Sequence, residues 1–118
     1  MKTDHQKIKI VLFFALFFLG IFVRVFRFGE YPGGINQDEA MTAVDARAIA
    51  DFGTDRYGNP FPVFFEGWKI GQQSAFLIYL TAGFLKLLPF NEVTTRLPML
   101  FLSLLGMLAV WGIARMIF

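Results

Sequence analysis

The fold class this sequence predicts is an all-α membrane protein: two transmembrane helices joined by an extracytoplasmic loop with a short interfacial helix. Three observations carry that prediction. Hydrophobic residues make up 56% and aromatic residues 18% of 118 residues, with a mean hydropathy of +0.56. Sixteen Phe are hard to hide in a soluble core of this size, whereas lipid solvates them. Two long apolar runs, Ile10 to Val23 and Leu97 to Ile113, stand between basic residues, as membrane-crossing helices do.

Charge distribution separates the parts. From Gly29 to Thr95 the acids Glu30, Asp38, Glu39, Asp45, Asp51, Asp55, Glu66 and Glu92 face only Arg47, Arg56, Lys69 and Lys86, a net of −4. The other basic residues flank apolar runs, where their stems lie along lipid and their heads reach water. An overall charge of +2 without a basic stripe excludes a nucleic-acid partner. With no Cys, a disulfide framework and a thiolate metal site are excluded too.

Residues 1–9 form a polar cytoplasmic tail with three Lys, and residues 10–28 the first span. Ile8 to Phe28 gives 21 residues, enough to cross the hydrocarbon. No small-residue cleavage site follows Val23, so an uncleaved span is expected rather than a signal peptide. Residues 29–73 form the loop. In it, Tyr31-Pro32-Gly33-Gly34 supplies turn chemistry, and a helix from Glu39 to Phe52 carries Met41, Val44, Ala48 and Ile49 at helical spacing. Its polar face holds Asp45, Arg47 and Asp51, with Arg47 and Asp51 spaced to pair. Gly53 is placed to end it, and Asp55 to Pro60 reads as consecutive turns. Phe61 to Phe65 is extended, with Pro62 against a central strand.

Residues 74–89 are apolar but too short to cross, which suits an interfacial helix. Residues 96–115 form the second span, with Arg96 as its anchor. Two spans put both termini on one side, and Lys2, Lys7, Lys9 and Arg115 make that side the cytoplasm. The loop is then extracytoplasmic.

The chemistry-bearing pair is Asp38-Glu39, beyond the first span and at the mouth of a helix. One reading makes Asp38 an N-cap, with Glu39 complementing the helix macrodipole. The other makes Asp38 a carboxylate held at the membrane surface for acid–base or metal chemistry. A capping Asp is also a well-fixed Asp, so the two are compatible. Mg²⁺ or Mn²⁺ is the divalent cation such a pair would take, although two ligands alone fall short of a site.

The order of parts resembles a known family. Asp38-Glu39 opening a helix is followed by Asp55-Arg56-Tyr57-Gly58-Asn59-Pro60-Phe61-Pro62, Ser74-Ala75-Phe76-Leu77-Ile78-Tyr79-Leu80-Thr81, Asn91-Glu92 and Thr95-Arg96-Leu97-Pro98. From about Lys9 to Phe118 this is similar to the N-terminal part of family 39-type membrane glycosyltransferases of the GT-C fold, the protein-mannosyltransferase-like and aminoarabinose-transferase-like enzymes. The resemblance implies an enzyme that moves a sugar from a polyprenyl-phosphate donor to an acceptor hydroxyl at the outer face. It implies Asp38 as the general base and Glu39 as a shaper of the site. Many relatives carry Lys-Pro-Pro, whose Lys meets the lipid phosphate; the matching triplet here is Gln73-Ser74-Ala75. Lys69 and Arg56 are the substitute cations, and with Gln73 they are the candidate substrate-binding residues.

Relatives are also much longer, so the resemblance implies an N-terminal fragment, inactive alone and lacking the parent's C-terminal helices as partners. The competing reading is a two-span membrane accessory protein that acts by binding. A pore is disfavoured by the long acidic loop.

Overall fold

The computed structural model describes residues 2–31, 33–68 and 71–117, with the backbone alone for residues 2–6. It is mostly helical. In chain order the elements are α1 (Lys2–Val25), α2 (Gln37–Phe52), β1 (Phe65–Gly67), β2 (Gly71–Gln73), α3 (Ala75–Leu87) and α4 (Glu92–Ile117).

Two stretches, Lys7–Val25 of α1 and all 26 residues of α4, are long and apolar enough to cross a membrane. The first helix stops at Val25 rather than at residue 28. Its run of apolar residues continues, but Arg27 at φ 55° and Gly29 at φ 93° turn the chain out of the helix. Across that turn Arg27 pairs with Glu30 at 2.6 Å and lies over the Tyr31 ring. A Cβ on Gly29 would come within 2.7 Å of Val93 Cγ2, so both the conformation and the close approach require glycine.

Helix α4 begins four residues before residue 96, because Asn91 Oδ1 accepts the Thr94 N–H at 2.8 Å and completes the first turn. At about 1.5 Å per residue it is about 39 Å long, more than the roughly 30 Å of hydrocarbon. The two long helices touch where Phe13 stacks on Trp111 (5.3 Å between ring centroids) and where Gly20 makes room for Met107.

Helix α3 is shorter than a membrane crossing, about 20 Å for 13 residues. Ser74 Oγ accepts the Leu77 N–H and caps it. The core lies where α3 meets α2. Ala46 and Ile49 of α2 pack on Ile78, Ala82 and Leu85 of α3, and Phe65 closes the end. The two Ala let the helix axes approach closely, while Phe65 makes an edge contact with Tyr79, whose hydroxyl donates to the Pro62 carbonyl at 2.9 Å. Burial also pushes the Tyr79 hydroxyl above its usual pKa.

Strands β1 and β2 form an antiparallel hairpin, with Phe65 opposite Gln73, Glu66 opposite Gln72 and Gly67 opposite Gly71. This departs from the all-α expectation. Three-residue strands are too short to show a two-residue periodicity, so the hairpin had no signal of its own in the sequence.

The buried face of α2 also differs from expectation. Met41 and Ile49 are buried, but Val44 is exposed, and Asp45 goes inside with Ala43 and Ala46. Asp45 Oδ1 accepts the Arg56 N–H at 3.1 Å and stands 3.7 Å from Arg56 Nε, while Arg56 Nη2 donates to the Glu66 carbonyl. One arginine thus ties α2 to the hairpin. Beside it Asp55 accepts from the Tyr57 and Asn59 N–H groups and from the Asn59 carboxamide. Burial pushes the Asp45 pKa up, against the pull of the Arg56 N–H and guanidinium. Burial acts the same way on Asp55, yet its Asn59, Tyr57 and Gly58 donors together hold it below the ordinary aspartate value. Gly53, in the left-handed conformation at φ 72°, ends α2 as expected, and Arg47 and Asp51 pair at 2.6 Å.

Candidate functional site

The site lies where the start of α2 meets the early turns of α4. Asn36 caps α2: its Oδ1 accepts the Glu39 N–H at 2.8 Å. Asp38 is therefore not the N-cap, as one reading of the sequence had it. Sitting within the first turn, it is free to point elsewhere while still complementing the positive end of the helix dipole.

Glu39 turns inward. Its Oε1 accepts from Arg96 Nε at 2.5 Å and its Oε2 from Arg96 Nη2 at 3.2 Å. The same Nη2 donates to the Gly34 carbonyl at 2.6 Å. The Arg96 side chain is only 10% exposed and that of Glu39 21%. A fork-to-fork pair of this kind fixes direction as well as distance. Arg96 is thus a strut of the site rather than the interface anchor its flanking position suggests.

Asp38 is exposed, and its Oδ1 accepts the indole N–H of Trp68 at 3.2 Å. Two adjacent carboxylates have therefore been given different tasks. The Glu39 charge is compensated by Arg96, and the Asp38 charge faces open space. With Thr42, one turn on, Asp38 lines two clefts. The first, about 600 Å³, is walled largely by apolar groups such as Phe28, Leu77 and Met99, and includes Arg24, Tyr31 and Arg96. The second, about 510 Å³, lies toward the hairpin, between Met41, Trp68, Gly71, Gln73 and Ser74.

The other site candidates divide. Gln73 lines the second cleft, and its Oε1 is buried without a hydrogen-bond donor among the described residues. Arg56 lines neither cleft; its guanidinium is engaged with Asp45 and Glu66. Lys69 lies outside the described residues. Among the described residues no three His, Asp or Glu side chains gather to hold a metal ion. With both Glu39 oxygens on Arg96, the pair does not make a divalent-cation site by itself.

Sequence reasoning missed Trp68 as a site residue and misassigned Arg96. For Arg96 the available signal was its Thr95-Arg96-Leu97-Pro98 setting. For Trp68 it was a bulky aromatic in the short sequence Gly67-Trp68-Lys69-Ile70-Gly71, bounded by two glycines. Compared with family models, with curated proteins and with solved structures, the chain matches none.

Proposed function

We propose that this chain carries the catalytic carboxylate of an integral-membrane glycosyltransferase, which moves a sugar from a polyprenyl-phosphate donor to an acceptor hydroxyl. The observation that carries the reading is the division of labour at the start of α2. Glu39 is neutralised by Arg96, and Asp38 stands exposed between two clefts with one oxygen held by Trp68. On this reading the chain is a partial GT-C fold in which α1 and α4 cross the cytoplasmic membrane, with both ends of the chain inside and residues 29–95 outside; the length and apolar character of the two helices support it.

In this mechanism the acceptor hydroxyl donates to Asp38 Oδ2 as its oxygen attacks the anomeric carbon. The proton passes to the carboxylate, and the bond from that carbon to the phosphate oxygen breaks. The electron pair leaves on the phosphate, and the configuration inverts. Arg24 lines the first cleft and, with Arg96 already compensated by Glu39, is the cation there that favours an anionic headgroup. The apolar walls suit a prenyl chain. No step is assigned to a metal, because Asp38 is the single carboxylate of the pair left to bind one. The parent's further membrane helices would complete the enclosure of donor and acceptor.

The test is sugar transfer by native membranes carrying this chain together with the parent's further helices, supplied with polyprenyl-phosphate hexoses, with and without chelator. Donor-dependent glycosylation supports the reading. Normal membrane insertion with no transfer from any such donor favours an accessory protein that acts by binding.

A further inference from the structure

We propose that the second cleft, between the first turn of α2 and the hairpin, is a binding subsite for a pyranose ring. Trp68 is its platform and Gln73 its hydrogen-bonding partner. The role of the bound sugar rests on the transferase reading, but its binding does not.

Six features of the cleft fit a sugar. Its volume of about 510 Å³ lies in the range of small-molecule sites, about 300–1,000 Å³. A pyranose offers an apolar C–H face ringed by hydroxyls, and it is recognised by an aromatic face together with planar amide or carboxylate groups at the rim. Trp68 supplies the first requirement, with 55% of its surface exposed and its N–H already spent on Asp38. Asp38 and Gln73 supply the second.

Trp68 is held at φ 45°, a left-handed conformation that strains a non-glycine residue. An exposed hydrophobic side chain gains little from packing to offset that strain. Strain of this kind collects where a residue must face a ligand. The facing pair Gly67 and Gly71 has no side chains to fill the floor, and a Cβ on Gly67 would reach van der Waals contact with Gln73 Cγ at 3.4 Å. Finally, the buried Oε1 of Gln73 lacks a hydrogen-bond donor among the described residues, a deficit that a ligand can make good. A sugar hydroxyl can supply that donor once the carboxamide rotates toward the cleft.

The experiment uses the full chain in lipid nanodiscs with Trp111→Phe, which leaves Trp68 as the sole indole. Emission is titrated with methyl hexopyranosides, with a polyprenyl-phosphate hexose and with the same polyprenyl phosphate lacking its sugar. Saturable change with sugar-bearing ligands is expected. By calorimetry, binding weakens about tenfold or more in Trp68→Ala and in Gln73→Leu, whereas Trp68→Phe, which keeps a platform, stays within about threefold. Binding of the free glycoside makes the ring sufficient, as for a glycan acceptor; binding of the lipid-linked sugar alone makes it the donor's. The subsite is overturned if no sugar binds, if sugarless polyprenyl phosphate binds equally well, or if Trp68→Ala binds sugar like the parent. Sugar binding lost with Trp68→Ala, alongside undiminished transfer by Asp38→Asn, would remove the transferase mechanism and leave the subsite standing.

Discussion

Arg96 of α4 and Glu39 of α2, 57 residues apart, meet through two hydrogen bonds of 2.5 and 3.2 Å. This contact joins the root of a long apolar helix to the helix that presents Asp38. It adds a direct tie between α2 and α4 to the indirect one through α3, whose Phe84 meets Phe101 of α4.

Breaking that pair from one side leaves a mostly buried charge alone. Glu39→Gln and Arg96→Leu are each expected to destabilise the fold by about 3 kcal/mol. The double variant is expected to lose less than the sum of the two, because neither partner is then stranded. Denaturant titration of the three variants, read by near-ultraviolet circular dichroism, checks it. Strictly additive losses would mean the two groups are energetically independent.

Asp45 and Asp55 give opposite pH dependences. Asp55, held below the ordinary value of 3.8, adds stability above that value and loses it as pH falls through its lower folded value. Asp45, raised above 3.8, binds its proton more tightly folded than unfolded, so stability falls as pH rises from 3.8 through its folded value. Asp45→Asn keeps an acceptor for the Arg56 N–H. It is expected to abolish the fall above pH 3.8 while preserving the rise below it. Thermal unfolding from about pH 3 to 7 measures both limbs.

Gly29 combines two demands that can be separated. Gly29→Ala meets both the positive φ and the Val93 methyl at 2.7 Å. We expect about 2–3 kcal/mol of destabilisation, of which Val93→Ala in the same chain recovers only the steric part. A remainder of roughly 1–2 kcal/mol belongs to the backbone. Complete rescue would show that φ is unstrained there.

Because the chain contains no Cys, single cysteines report topology cleanly. Val63, 92% exposed, and Met116, 88% exposed, are suitable positions. In intact cells an impermeant maleimide is expected to label Val63→Cys, and Met116→Cys only after lysis. The opposite pattern would place the loop in the cytosol, where no extracytoplasmic transfer is open to it.

Much of this architecture was legible residue by residue. The apolar runs marked α1 and α4, Gly53 marked the end of α2, and the short run after Gln73 marked a helix unable to cross. What failed to show depends on partners distant in sequence. Asp45 sits on a polar face by spacing, and only Arg56, eleven residues away, makes its burial tolerable. Arg96 looks like an anchor because it borders apolar residues, yet Glu39 draws it inward. Asn36 and Asp38 both had capping chemistry, and local backbone geometry chose Asn36. The hairpin depends on pairing between two segments that carry no strand signature separately. Asp38-Glu39 was visible as a pair; their divergence into one compensated and one available carboxylate was not.

Asp38→Asn tests the central claim most directly, since it keeps an acceptor for the Trp68 N–H but removes the basic carboxylate. In native membranes carrying the intact parent, transfer from a polyprenyl-phosphate sugar is expected to fall by a factor of about 10²–10⁴, with insertion and stability unchanged. An Asn variant that turns over at the parent's rate would contradict the assignment of Asp38 as the base.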